Sequence, residues 1–141
     1  MKWRCIVIAF MAVMQSCTAP LTTEMTAVNP HEWSKPCDVV IENDDTLSLN
    51  KIGIAVRYNN SFKADTLTLR VQVSTPDLHS FEETVTLQLE RPYTASAVAT
   101  SEMRPYRKHS LLKQRGFYIF TLTPQYPIQG VEAVGITIEK E

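Results

Sequence analysis

The chain has 141 residues, of which 44% are hydrophobic and 21% charged, and its formal net charge is −1. This length is typical of one domain, which can bury a core without help from disulfides. Because acidic and basic residues are nearly balanced and scattered along the chain, the composition argues against nucleic acid as a partner.

The first 16 residues have the pattern of an export signal. Lys2 and Arg4 precede an uncharged apolar run at residues 5–14. This run is shorter than the roughly 20 residues that a permanent membrane-spanning helix needs. A basic start, a short apolar stretch and a small residue at the cut are typical of a secretory signal. We therefore expect residues 1–16 to be a cleaved lipoprotein signal peptide.

The residue after the expected cut is Cys17. The stretch Met14-Gln15-Ser16-Cys17 resembles the lipobox of bacterial lipoproteins, in which a cysteine directly follows the cut. The resemblance implies that the Cys17 thiol carries diacylglycerol and that the new α-amino group is acylated, for example with palmitate. Two or three acyl chains hold a protein on a membrane stably, whereas one does not. The alternative is an ordinary signal peptide cut after Ala19, which would leave a soluble protein.

Cleavage changes the charge and the cysteine content. It removes two of the 14 basic residues and none of the 15 acidic ones, so the mature net charge is about −3. Cys5 leaves with the signal and Cys17 is lipidated, so that Cys37 has no partner for an intramolecular disulfide. We expect Cys37 to be a small buried apolar residue; the alternative is an intermolecular disulfide.

Residues 17–31 are rich in Thr, Ala and Pro and show no period, which predicts a flexible tether. Residues 32–141 are predicted to form one β-domain, since apolar and polar residues alternate along several segments. Leu67, Leu69, Val71 and Val73 fall on one face of such a segment. Similar patterns occur at residues 37–42, 52–58, 85–89, 116–123 and 134–139.

Six to eight short strands joined by polar turns predict an all-β fold, an antiparallel β-sandwich that could be of jelly-roll type. Paired asparagines in residues 58–62 suit a turn between two of these strands. An up-and-down barrel is the weaker alternative.

Residues 91–116 break this pattern, with two prolines and little alternation. One interpretation is a solvated loop over the end of the sandwich. The other is a binding segment for an acidic partner or for anionic lipid head groups. The basic residues that would make this contact are Arg104, Arg107, Lys108, Lys113 and Arg115.

Motifs of catalysis, metal binding and cofactor binding are not found. His31, His79 and His109 are far apart and lack neighbours at ligand spacing, so we expect no metal site. Residues 42–45 cluster acidic side chains without the glycine and final glutamate of an EF-hand, which favours a polar turn. The adjacent Glu82 and Glu83 should point to opposite faces of a strand. We expect neither an enzyme nor a cofactor or small-molecule substrate.

Aromatic residues leave a second functional hypothesis open. Trp33, Tyr93, Tyr106 and Tyr126 lie in or beside predicted loops. Exposed aromatic rings stack on sugars, so these four could form the platform of a glycan-binding lipoprotein in a nutrient-uptake system. The other interpretation is that they are half-buried at the edges of the sandwich.

The C-terminal run at residues 116–140 resembles the end of the GldH gliding-motility lipoproteins of the Bacteroidota. Residues 32–44 and 52–73 also look like that family's Trp-containing first strand and the strand pair that follows it. The matching positions of the C-terminal run are Gly116, Tyr118, Phe120, Gly130, Val131, Val134, Gly135, Ile138, Glu139 and Lys140.

This resemblance implies an envelope lipoprotein with protein partners in the gliding machinery, and indirectly with the type IX secretion system. It implies no catalytic residues. Residues 18–23 contain no acid, whereas many surface-exported lipoproteins of these bacteria carry acidic residues there. We therefore expect an outer-membrane lipoprotein on the periplasmic side.

Overall fold

The computed structural model describes residues 21–90 and 99–141. Cys17 and the signal peptide lie outside these residues. Every regular element within them is a β-strand. The strands are β1 (Leu21–Ala27), β2 (Cys37–Asn43), β3 (Leu49–Tyr58), β4 (Thr66–Ser74), β5 (Ser80–Gln88), β6 (Thr100–Leu111), β7 (Gly116–Pro124) and β8 (Val131–Lys140).

The strands form two antiparallel sheets of four. Sheet I has the order β1-β8-β3-β6 and sheet II the order β2-β7-β4-β5. Consecutive strands in the first half of the chain thus alternate between sheets in the double Greek-key arrangement of a jelly roll. The prediction of an antiparallel β-sandwich is confirmed, in its jelly-roll form.

The core lies between the two sheets, where the apolar faces of the strands meet. The four alternating residues of β4, Leu67 to Val73, are all buried, as the sequence predicts. Phe120 of β7 and Ile136 of β8 are at most 1% exposed. Full burial of one such side chain contributes about 1.5–3 kcal/mol, so these faces hold the two sheets together.

The predicted tether is wrong for Leu21–Ala27, which forms β1 and pairs with β8 from Leu21↔Glu139 to Ala27↔Ala133. Its side chains are mostly exposed, because an edge strand can be held by backbone hydrogen bonds without an apolar face. The Thr26 hydroxyl also donates to the Asp38 carbonyl of β2 at 3.0 Å. The β-domain therefore begins at Leu21 rather than at residue 32.

The predicted irregular segment at residues 91–116 contains the 12-residue strand β6. Its inward positions carry Glu102, Arg104 and Tyr106, so the apolar alternation that identifies the other strands is missing. Pro105 is tolerated because β6 is an edge strand. The register against β3 shifts on both sides of Ile52, as in a β-bulge. The solvated-loop interpretation is thus wrong for Thr100–Leu111.

The strands end in two sets of connections at opposite ends of the sandwich. One end, called here the Leu21 end, contains Leu21 and the connections at residues 44–48, 75–79 and 112–115. The opposite set includes residues 28–36, 59–65 and 125–130 and is called the Trp33 end.

The Trp33 end is closed by a packed group of loops. Trp33 is 3% exposed and exchanges two backbone hydrogen bonds with Ile128, at 2.7 and 3.0 Å. Gly130 has φ 93°, and a Cβ there would collide with the backbone of Phe62. Asn59 forms the predicted turn after β3, since its side chain accepts from the Ser61 N–H at 2.8 Å. These contacts explain why Gly130 must be glycine.

Candidate functional site

The two long sides of the sandwich differ in how they are closed. On one side, β1 and β2 approach closely enough for the Thr26–Asp38 hydrogen bond. On the other side, cavities of about 570 and 500 Å³ open between the edge strands β5 and β6. We call this side the β5–β6 cleft.

The larger cavity lies toward the Leu21 end and has an apolar floor. Its rim includes Phe81 and Leu111, which are 49% and 40% exposed, and the exposed Lys113. Partly exposed apolar side chains beside polar ones are typical of a surface that receives a ligand or a partner. The floor is formed by Ile52, Val73, Leu112, Tyr118 and Phe120.

A polar bridge crosses the cleft between the two cavities. The Glu83 carboxylate on β5 accepts hydrogen bonds from the Tyr106 hydroxyl and the Arg107 guanidinium on β6. Arg107 also lies over the Tyr106 ring, 5.4 Å from its centroid. The hydrogen bond from Tyr106, followed by that from Arg107, holds the pKa of Glu83 below its usual value. Burial and the contact with Glu83 raise the pKa of Tyr106 to about 12.

Glu82, the neighbour of Glu83, points to the outer face of sheet II. It lies 3.5 Å from Arg70 in an exposed ion pair. The prediction that these two glutamates point to opposite faces is thus confirmed. Of these two glutamates, only Glu83 contacts the opposite sheet.

The smaller cavity is lined in part by Arg104 and Glu90, which belong to a second cluster of interacting polar side chains. The Arg104 guanidinium lies 3.6 Å from Glu90 and 3.5 Å from Glu102. Both carboxylate oxygens of Glu102 accept from the Glu90 N–H at 3.1 Å. Inward-pointing charges of this kind on an edge strand discourage edge-to-edge pairing with another sheet.

The structure divides the five basic residues predicted for partner binding into two groups. Arg104 and Arg107 are held by glutamates within the cleft. Lys108, Lys113 and Arg115 are exposed, and no carboxylate of the described residues lies within 4.0 Å of them. Lys108 follows the bridge on β6, whereas the other two occupy the connection between β6 and β7. That they contact a partner stays a prediction.

The proposed sugar-stacking aromatics do not form one platform. Trp33 is buried, and its ring N–H donates to the Lys35 carbonyl at 2.8 Å. Tyr106 is half-buried in the Glu83 bridge. Tyr126 is 69% exposed, and Tyr93 lies outside the described residues. The tryptophan of the glycan-binding hypothesis therefore presents no exposed face.

The polar turn predicted at residues 42–45 covers only Asp44 and Asp45, because Glu42 and Asn43 are the last residues of β2. Asp45 accepts from the backbone N–H groups of Leu47 and Ser48 at 3.0 and 3.1 Å, and pairs with Lys140 at 2.8 Å. The hydrogen bonds from Lys140 and Ser48 hold the pKa of Asp45 well below its usual range. Within the described part of the chain, no three His, Cys, Asp or Glu side chains are arranged to hold a metal ion.

Cys37 is buried, as predicted, at 7% exposure. Burial, followed by the nearby charge of Asp38, raises the pKa of its thiol.

Residues 21–90 and 99–141 contain no helix long and apolar enough to cross a bilayer.

Sequence reasoning missed the exposed apolar residues at the rim of the cleft and in the turns of the Leu21 end. Phe81 and Leu111 lie at the ends of their strands. There, the alternation of apolar and polar residues does not show whether a side chain faces solvent or lines the rim of a cavity. Leu47 and Leu78, in the turns of the Leu21 end, are 89% and 92% exposed. For Leu47 and for Leu78, the feature of the sequence that could have indicated exposure is a single leucine among polar turn residues.

Comparison with protein families gives a match over most of the chain. A family model described as GldH lipoprotein matches residues 21–138. The match begins at the first residue of β1 and ends at Ile138, so it covers seven strands in full and all but the last two residues of β8. A search of curated proteins gives no match.

Proposed function

The chain belongs to the GldH lipoprotein family, and we propose that it is a non-enzymatic, lipid-anchored component of a gliding-motility assembly in the cell envelope. The assembly would be one associated with type IX secretion in the Bacteroidota. In this role the protein holds a partner rather than transforming a substrate. The observation that carries the proposal is the β5–β6 cleft, where one side of the sandwich opens onto apolar residues.

The anchor in this proposal is Cys17. Leu21, the first residue of β1, follows it by four residues. A chain of that length spans at most about 14 Å. The folded domain is therefore held close to the membrane, where it meets partners that are themselves confined to the envelope.

The partner in this proposal binds the larger cavity of the cleft. Phe81 and Leu111 offer apolar contact at the rim, and Lys113 offers a positive charge beside them. A protein segment with an apolar side chain next to an acidic one would match both features. The Glu83 bridge keeps β5 and β6 at a fixed spacing and so preserves the shape of the cavity.

Site-specific photocrosslinking in cells tests this site. A benzophenone amino acid is placed at Phe81 or Leu111, and at Val40 as a control. Val40 is 47% exposed, close to the 49% of Phe81, but lies on the outer face of sheet II. We expect one and the same envelope protein to be captured from both cleft positions and not from Val40. Equal capture from Val40, or no capture from the cleft, would contradict the proposed site.

The membrane and its face form a further part of the proposal. We place the protein in the outer membrane, on its periplasmic side. Protease treatment of intact cells tests the orientation, since a periplasmic domain survives until the outer membrane is opened. Rapid digestion in intact cells would show that the domain is on the cell surface.

A further inference from the structure

We infer that the Leu21 end of the sandwich lies against the bilayer that holds the lipid anchor, with Leu47 and Leu78 inserted among the lipid head groups. The inference rests on the proposed anchoring at Cys17. It adds an orientation: the domain does not swing freely on its linker but docks by one defined end.

The distribution of exposed apolar side chains is the first observation. Among the described residues, 11 large hydrophobic side chains are exposed. Seven of them lie at or beside the Leu21 end, whereas Tyr126 alone lies in a connection of the Trp33 end. The seven are Leu21, Leu47, Leu49, Leu78, Phe81, Leu111 and Phe117.

Leu47 and Leu78 stand out within this group. They are 89% and 92% exposed, the highest values of the 11. Each lies in a connection between strands, so neither packs into the core. Leu78 also has φ 66°, a conformation that a leucine rarely adopts and that glycine or asparagine would tolerate better. An apolar side chain kept in this position by a strained backbone indicates an external apolar partner.

Both turns are rigid supports for these leucines. The Asp45 carboxylate accepts the backbone N–H of Leu47 at 3.0 Å and is itself held by Lys140. The Leu78 N–H donates to the Thr75 carbonyl at 3.0 Å, and Asp77 binds both the Thr75 hydroxyl and His79. The turns thus present the leucines in fixed positions.

The position of the anchor identifies the bilayer as the occupant. Leu21 lies at the same end, and the four residues back to Cys17 reach at most about 14 Å. The head-group layer on one side of a bilayer is roughly 5–8 Å thick. Lipid at Cys17 would therefore bring this end, and not the Trp33 end, to the membrane surface.

The charges at this end are compatible with a membrane surface. Asp45, Asp77 and Glu141 are each paired with a cationic or protonatable side chain: Lys140, His79 and His109. Arg115 is exposed in the third connection and can contact anionic head groups. Asp44 and Glu139 lie there too, so the docking depends more on the leucines and the anchor than on net charge.

Tryptophan reporters in the lipidated full-length protein test the docking. Leu47→Trp and Leu78→Trp report on the Leu21 end, and Tyr126→Trp, at an exposed site of the Trp33 end, is the matched control. Each protein is reconstituted into phosphatidylethanolamine–phosphatidylglycerol vesicles with brominated acyl chains, which quench nearby indole rings. The buried Trp33 gives a constant background that the unsubstituted protein measures.

We expect the Leu47→Trp and Leu78→Trp reporters to lose about half of their emission and to shift to shorter wavelength, because apolar residues at an interface sink about 5–10 Å into it. The Tyr126→Trp reporter should be unaffected. All three substitutions are at exposed sites, and unchanged thermal unfolding verifies that the fold is kept.

Vesicle flotation separates this inference from the anchoring on which it rests. If the protein floats with the vesicles but all three reporters behave alike, the docking is wrong and the anchor stands. If mass spectrometry finds no lipid at Cys17 and the protein does not float, both are wrong. Shielding of the two leucine positions in the Cys17→Ser variant, in buffer without lipid or detergent, would assign them to a second copy of the chain and overturn the inference.

Discussion

Glu83 of β5 and Tyr106 of β6 join the two sheets across the open side of the sandwich. The Tyr106 hydroxyl donates to the Glu83 carboxylate, and Arg107 adds a second, charged donor. Hydrogen bonds to a charged group are worth about 1.5–3 kcal/mol when they are kept from water. Here Glu83 is one-third exposed, which reduces that value because solvent screens the charge.

Replacing Glu83 by Gln should lower the free energy of unfolding by about 1 kcal/mol, because the carboxylate that accepts both donors is lost. The matched control is Glu82→Gln, one residue away on the same strand. Glu82 forms only an exposed ion pair, so this change should stay within about 0.5 kcal/mol. Urea unfolding of both variants measures the difference. Equal effects at the two positions would show that the bridge adds no stability.

Acid should weaken the same bridge. The folded-state pKa of Glu83 is lowered by its contacts with Tyr106 and Arg107. A carboxyl group of this kind stabilises the fold fully above its unfolded pKa of about 4.3, and the contribution disappears as the pH falls through the lower folded value. The stability difference between the wild type and Glu83→Gln should therefore be largest at neutral pH and smaller at about pH 3. A difference that stays constant with pH would contradict this assignment.

Substitution of Gly130 by Ala should destabilise the Trp33 end by at least about 2 kcal/mol. The backbone there has φ 93°, and the added Cβ would collide with the Phe62 backbone, which cannot move aside. The control is Gly53→Ala, where the added Cβ would meet the side chains of Met103 and Thr137 instead. We expect a smaller loss at Gly53 in thermal unfolding. The opposite order would mean that the Trp33 end relaxes more readily than its packing indicates.

Charge reversal separates partner binding from structural roles in the basic segment. Arg107→Glu should lower stability, because it would place a second carboxylate beside Glu83. Lys108→Glu should leave stability unchanged, since Lys108 is exposed and has no ion pair among the described residues. If Lys108 contacts an acidic partner, its reversal should reduce photocrosslinking from Leu111 several-fold. Unchanged crosslinking would remove Lys108 from the binding surface.

Six of the eight strands could be predicted from alternation, because most of their inward residues are apolar and most of their outward residues are polar. In β4, for example, Leu67 and Leu69 are fully buried. The two strands that were missed, β1 and β6, are the edges of sheet I. An edge strand can be held by one ladder of backbone hydrogen bonds, so that its side chains need not follow the apolar pattern.

The candidate site was predicted only in part. The basic residues of the segment are visible in the sequence, but their partners are not, because Glu83 and Glu90 come from a different part of the chain. Glu83 comes to lie opposite Arg107 only because of how the two sheets pack against each other. No local pattern of residues could have supplied that information.

The most direct test of the anchored-lipoprotein assignment is metabolic labelling of cells with an alkyne fatty acid, comparing the wild-type protein with Cys17→Ser. We predict strong labelling of the wild type and none of the variant, with the mass of the mature protein accounted for by residues 17–141 plus two or three acyl chains. Absence of label from the wild type, or equal labelling of Cys17→Ser, would contradict the lipid anchor at this residue.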